Sequence, residues 1–454
     1  MIETFPYGKA PFWLLVLSIA STLTLVATPR LAAEKSDLVF ATFAQPHYEA
    51  YKKVLPEFER EHGIKVSLEL VNGTALQSRL QNAMLSGAAV PDMVELVGGT
   101  IGFFTSGPLK DVGFTDLTDR IDHEHLREKL VASRFSLWSS RRRVFAIPHD
   151  VHPVMLMYRA DIVEGLGIDV SQIRTWDEFA AMGRKVTGDL DGDGTIDRYA
   201  IDLPQGGGFG LSILLNQQDL SVLDANGRIA FDNPATAKTI VWYLHQTRGR
   251  ARIATECGWG QSLMKAISDG LALFYLAPDW RSYITQTDLP QLTGKMKLMP
   301  LPAWSADGRR TSVWGGTGLA ITKASKRQDL AWELATFLYL NKPALGERFA
   351  ATNIIPPFKD AWDLPEFQKP NAFFSNQPIG AMYAALAPDA PPTYETAQSA
   401  LASSKVDEAY LRAAEYFDSH GDEGLDAYVQ SELDRAAAYV SRVIERNVFA
   451  RSGP

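Results

Sequence analysis

A single cysteine, Cys257, stands among 454 residues. No internal disulfide can form, so the fold must rest on its packed cores. Positive charge is also scarce. The formal net charge is −8, and an acidic chain without a basic block is poorly suited to holding nucleic acid or an anionic membrane. The one dense basic cluster, Arg141, Arg142 and Arg143, reads as a solvated loop. No apolar run after residue 27 is long enough to cross a bilayer. Motifs for chemistry are missing too: there is no H-E-x-x-H and no nucleophile elbow. Gln205 and the three glycines after it lack the G-K-[ST] of a phosphate loop and read as a flexible rim. With no repeat or low-complexity tract, the chain is an ordinary globular one whose length makes two domains the expectation.

What is present starts with residues 12–27, FWLLVLSIASTLTLVA, an apolar run behind Lys9 that is followed by Ala32 and Ala33. A basic residue, an apolar run and small residues, in that order, predict an export signal cleaved near Ala33. The run is short for a membrane span, which needs about 20 residues. No cysteine follows it directly, so lipid anchoring is not expected. An exported chain with one cysteine fits a bacterial periplasm.

Residues 38–43 read as a buried strand, and a helix follows with Tyr51, Val54, Leu55 and Phe58 on one face and Gly63 as its stop. Val66, Leu68 and Leu70 alternate as a second strand, a helix runs through Leu76, Leu80 and Met84, and residues 93–97 form a third strand. This βαβαβ order predicts a parallel sheet, with ligand outside the carboxyl ends of its strands. Those ends carry Gln45 and His47, then Gly73 and Thr74, then Gly98 and Gly99. Further on, Thr175 and Glu178 predict a capping box, and residues 329–340 and 425–444 have helical spacing.

Residues 299–325 carry the sharpest aromatic signal. They read as a β-hairpin turning at Asp307 and Gly308, whose return strand is interrupted by Trp314, Gly315, Gly316 and Gly318. An aromatic beside bare backbone offers a ring to stack on and amides to hydrogen-bond, which suits a sugar ring. The competing reading is a core tryptophan beside a glycine bulge.

A second motif is DLDGDGTID at residues 189–197. Asp189, Asp191, Asp193 and Asp197 take loop positions 1, 3, 5 and 9 of a calcium loop, with Gly194 at position 6 and Thr195 offering its carbonyl. The motif departs from an EF-hand at position 12, where Ala200 replaces the bidentate glutamate. A loop holding a structural Ca²⁺ and a plain solvated Asp/Gly turn are the two readings, and no catalytic cofactor is expected.

In this order the pieces resemble the extracellular solute-binding proteins of bacterial ABC importers, in the sugar-binding group that includes maltose-binding protein. The resemblance is carried by the first strand and helix with Gly63, by VPDMVEL at 90–96 and by FAIPHD at 145–150 leading into LMYRAD at 156–161. It continues through WDEF at 176–179, GLALFYLAPDW at 270–280, and Gly315 and Gly316 before Trp332. It implies an α/β fold of two lobes with a ligand cleft between them and a helical C-terminal extension. Mapped on this chain, residues 34–148 with 296–324 make lobe one, and 149–295 with 325–454 make lobe two. It implies ligand contacts at Asp150, Asp279, Trp280, Trp314, Gly315 and Gly316, with Gln45, His47, Thr74 and Gly98 from the strand ends and Tyr383 as a further aromatic. Its partners would be a small carbohydrate and an inner-membrane permease, with no nucleic acid, and the protein a monomer in the periplasm. A secreted glycosidase is the alternative, but such an enzyme needs two opposed carboxylates, and no nucleophile motif marks them. Binding is therefore the expected function, with no catalytic residue.

Overall fold

The computed structural model describes residues 12–19 and 36–446. Lys9 and the expected cleavage site near Ala33 lie outside these residues. Residues 12–19 form a helix with its apolar side chains exposed, and no helix among the described residues is long and apolar enough to cross a membrane.

The first lobe opens with strands β1 (Leu38–Thr42), β2 (Val66–Leu70) and β3 (Met93–Val97), separated by helices Gln45–His62 and Gly73–Ser86. β1 pairs in parallel with both neighbours, as the alternation predicts. Gly63 ends the first helix in the left-handed region, at φ 65°, and its amide donates to Glu59 O. A small hairpin of β4 (Ser139–Ser140) and β5 (Arg143–Val144) precedes β6 (Ile147–Pro148), and the chain then crosses to the second lobe. There it forms β7 (Val154–Arg159), β8 (Tyr199–Asp202), β9 (Ala254–Thr255), β10 (Ala272–Pro278) and β11 (Met296–Pro300), and crosses back into β12 (Thr317–Ile321). The two sheets run β2-β1-β3-β12-β6 and β11-β7-β10-β8-β9. Thr175 and Glu178 form the expected capping box on helix Trp176–Val186.

Two expectations need correcting. Residues 299–325 are not one hairpin. The turn at Asp307 and Gly308 exists, with Leu301 N–H donating to Arg310 O at 2.9 Å, but beyond it the strands part. β11 pairs antiparallel with β7 in the second sheet, and β12 pairs antiparallel with β3 and β6 in the first. The reason is that β7 is buried along its whole length; a central strand needs partners on both edges, and β10 and β11 supply them. The lobe boundaries shift accordingly. Residues 296–300, expected in lobe one, belong to the second sheet, and the crossing lies between residues 300 and 317. Helices Gln328–Leu340 and Lys342–Thr352, expected in lobe two, pack on helix Gln45–His62 of lobe one. The final helices, Ser399–His420 and Leu425–Arg446, pack on each other and on Pro234–Thr247 of lobe two, as the helical extension implied.

The glycines of β12 serve this packing. A Cβ built on Gly318 would lie 2.5 Å from Trp138 Cε2, so the buried indole occupies the space a side chain would need. Gly318→Ala should therefore lower stability by about 1–3 kcal/mol through overpacking, read as a lower urea midpoint; an unchanged midpoint would mean Trp138 can move aside.

Candidate functional site

The lobes are joined through buried charge. Between β6 and β7 stand His149, Asp150 and His152, all at most 4% exposed. His152 has φ 57°, a conformation rarely adopted by a side-chain-bearing residue. Its Nε2 lies 3.1 Å from Asp150 Oδ2 and its Nδ1 2.6 Å from Asp279 Oδ1. Burial alone would lower the His152 pKa, but the two flanking carboxylates overcome it and raise it to about 10. The imidazolium thus donates to both. Asp150 Oδ1 accepts from Thr317 N–H at 3.0 Å, at the start of β12. Asp279 Oδ2 accepts from Ile355 N–H at 2.7 Å, just beyond helix Lys342–Thr352 of lobe one. One cation therefore ties two crossings and, through Asp279, the lobe-one segment at Ile355.

A second cluster sits beside it in lobe one. Glu95 Oε1 accepts from the hydroxyls of Tyr51 and Tyr339, and its Oε2 from Thr42 Oγ1 and His47 Nδ1, the last at 3.0 Å. Burial works to raise Glu95, yet His47, its hydrogen bond and the remaining donors hold the carboxyl well below its usual range. Burial, with Arg348 and His47 nearby, lowers His149 to about 3, so its ring is neutral near pH 7 and lies tilted against His47 with centroids 4.1 Å apart. The His47, Glu95 and His149 donor atoms lie within 4.8 Å of one another, but Glu95 already has four donors. Glu95, Asp150 and Asp279 also balance the buried cations His152, Arg134 and Arg348. A divalent ion there would stand uncompensated.

Beside these crossings lies an aromatic wall. Trp314 stacks on Phe209 at 4.3 Å and 6°, and meets Trp280 edge-on at 5.0 Å and 67°. Trp259 completes the group, 5.6 Å from Trp314 and nearly parallel to Trp280 at 14°. Trp280 Nε1 donates to Trp314 O at 3.1 Å. Buried Arg281, paired with Asp202, places its guanidinium 5.5 Å from the Trp259 and Trp314 ring centres. That cation stiffens the wall. Trp259 is 53% exposed, while Phe209, Trp280 and Trp314 are half-buried. Gly315, exposed and at φ 101°, leaves open backbone beside Trp280.

These positions sort the expected contacts. Trp280, Trp314 and Gly315 come together at one surface, although the two tryptophans share one wall and do not face each other across a gap. Asp150 and Asp279 are buried, and their oxygens are taken by the crossings in place of ligand hydroxyls. His47 is likewise buried on Glu95. Gly316 is packed, with Leu137 Cδ2 only 2.4 Å from where a Cβ would stand, and Gly98 N–H donates to Gly316 O at 2.7 Å across lobe one. Gln45 is exposed and donates to Glu49 Oε1. Thr74 is exposed in the first turn of a helix capped by Asn72. Tyr383 lies in the core, its hydroxyl donating to Ala277 O.

The family model for bacterial extracellular solute-binding proteins matches residues 44–344. The chain belongs to that family. An arabinooligosaccharide-binding protein of Halalkalibacterium halodurans is 26% identical over 350 residues, 75% of each chain. One of Bacillus subtilis (strain 168) is 25% identical over 374 residues, 79% of this chain and 83% of the relative. The solved sugar-binding protein MalE of the phytopathogen Xanthomonas citri superposes with a TM-score of 0.71 at 21% identity, over 92% of this chain and all of that one. That likeness shows the two-lobed fold.

Sequence reasoning about this solute-binding protein missed Phe209 and Trp259. The signal for Trp259 was available: Gly258 and Gly260 flank it, the same pairing of indole and bare backbone as at Trp314. Phe209 follows the glycine run taken only as a rim. At the acidic loop, carboxylate oxygens of Asp189, Asp191 and Asp197 lie within 4.8 Å of one another. Asp193 does not join them; its Oδ1 accepts from Thr195 N–H. Ala200 is buried in β8, so the twelfth position cannot contribute a ligand. The oxygens of Asp189, Asp191 and Asp197 accept backbone N–H bonds from Leu190, Gly192, Asp193 and Gly194, and three carboxylates fall short of the roughly six to eight oxygens Ca²⁺ takes.

The junction predicts a pH signature. His152, raised from its ordinary 6.5 to about 10, contributes stability that is complete below pH 6.5 and lost as pH rises through 10. His152→Gln should therefore be less stable than the parent near pH 6, with the gap closing toward pH 10 in urea titrations. A gap that does not change with pH would remove the charge on His152 from the account.

Proposed function

We propose that this chain is the carbohydrate-capturing component of a bacterial ABC importer, binding a sugar or oligosaccharide between its lobes and presenting it to a membrane permease. The observation that carries the reading is the four-ring wall with open backbone at Gly315, set at the junction of the lobes. Aromatic faces suit the apolar faces of sugar rings, and nearby amides suit their hydroxyls. Ligand touching both lobes favours the form in which they meet, so binding energy selects closure. Residues 391–396 of lobe two already lie on lobe one: Thr393 N–H donates to Ser136 Oγ at 3.1 Å, and Gly102 packs on the Thr396 backbone. The names of the relatives, arabinooligosaccharide-binding proteins, point to the same ligand class.

The finer elements of this reading are export by a signal cleaved near Ala33, a periplasmic monomer, binding without chemical change, and a structural Ca²⁺ on the 189–197 loop. Calorimetry with neutral oligosaccharides should show saturable binding with the sugar recovered intact; cleavage products would turn the reading toward a glycosidase. Trp259→Ala, at the most exposed ring, should weaken binding about tenfold with little change in melting temperature. For the loop, EDTA should lower the melting temperature and Ca²⁺ restore it. A melting temperature indifferent to both would leave a plain Asp/Gly turn.

A further inference from the structure

A groove of about 730 Å³ opens between the lobes, a volume within the range of ligand sites. Its first-lobe side is the β4–β5 hairpin and Thr105; its second-lobe side includes Asp224, Arg228, Tyr394 and Glu395. Glu395 also approaches the end of β3. Its Oε1 lies 3.9 Å from where a Cβ on Gly99 would stand, next to Gly98, which is bonded to Gly316.

The charge in the groove is uneven. Arg143 of the basic triplet pairs with Asp116 and Arg228 pairs with Asp224. Arg141 and Arg142 form no ion pair among the described residues, and Arg141 Nη2 donates only to the carbonyl of Thr105, at 2.7 Å. Partial burial lowers the Arg141 pKa with no compensating anion. On the other wall, burial raises Glu395 to about 7, so it carries little negative charge in mildly acidic solution, and Glu445 stands exposed at the rim. The arginines are also placed at a conformational cost. They form the whole two-residue turn of the hairpin, both with positive φ, 49° and 65°. That is a type I′ turn, which favours Asn-Gly.

We propose that the groove takes an acidic substituent of a bound oligosaccharide, a carboxylate of the uronate kind, paired with Arg141 and Arg142 while neutral rings of the same chain lie along the aromatic wall. This rests on the carbohydrate reading above. The guanidinium fork matches a carboxylate in two parallel hydrogen bonds, and a partly desolvated cation without a partner gains most from one.

The test compares a neutral trisaccharide with a uronate-bearing one of the same length, by calorimetry on the full exported chain. The uronate should bind at least tenfold more tightly in low salt, with the gain shrinking in 0.5 M NaCl as screening grows. Arg142→Glu should erase that gain and leave the neutral sugar's affinity unchanged. R141N/R142G should erase it too, while the relaxed turn keeps the melting temperature at or above the parent's. A phosphorylated sugar that gains as much would support pairing by charge; one that gains nothing would support a carboxylate-specific fork. Equal affinity for the two trisaccharides, or a gain that survives both variants, overturns the groove assignment and leaves the carbohydrate reading standing. Binding of neither sugar overturns both.

Discussion

The structure depends on an imidazolium held between two buried carboxylates. His152 lies on one crossing, Asp150 beside it anchors the entry to β12, and Asp279 of lobe two holds the Ile355 amide of lobe one. Breaking such a buried pair would leave an uncompensated charge, a loss of several kcal/mol. The paths of the chain between lobes are therefore fixed to one another even where the lobes themselves could move. The same residues bound the aromatic wall. Asp279 precedes Trp280, and His152 packs against Gly315. Rigid crossings thus set the position of the surface on which a ligand would rest.

Charge and aromatic rings divide the junction between them. The carboxylates lie beneath, saturated with donors, and the rings stand above with edges and faces toward solvent. The arrangement has a physical reason. A carboxylate buried with all its acceptors used has none left for a sugar hydroxyl, whereas an indole stacked on its neighbours still has a face free. The acids nearest the expected cleft became hinge residues for this reason, and the tryptophans nearest it became the candidate surface.

Much of the fold was legible in local patterns. Gly63 as a helix stop, the Thr175–Glu178 capping box and the β1–β3 alternation are decided within a few residues of each other, so the sequence carries them directly. Trp314 and Gly315 were legible as a candidate, an aromatic beside bare backbone, but the same pairing at Trp138 and Gly318 is plain core packing. Less was legible wherever a partner is distant. β11 belongs to the second sheet because β7 has a free edge, a fact recorded about 140 residues earlier in the chain. Asp150 and Asp279 look the same in sequence whether they meet a sugar or a histidine. Trp259 carried the same glycine signature as Trp314, and only its neighbours gave it meaning.

The sequence by itself therefore determined the alternation of strands and helices, the family, and the kind of residue gathered for the cleft, since these follow from short-range periodicity and motif order. Only the tertiary structure decided which of those residues are free to meet a ligand. Availability is set by what fills the second side of each group: Leu137 beside Gly316, Trp138 beside Gly318, His152 between two aspartates. Those fillings join residues far apart in the chain, and no local pattern encodes them.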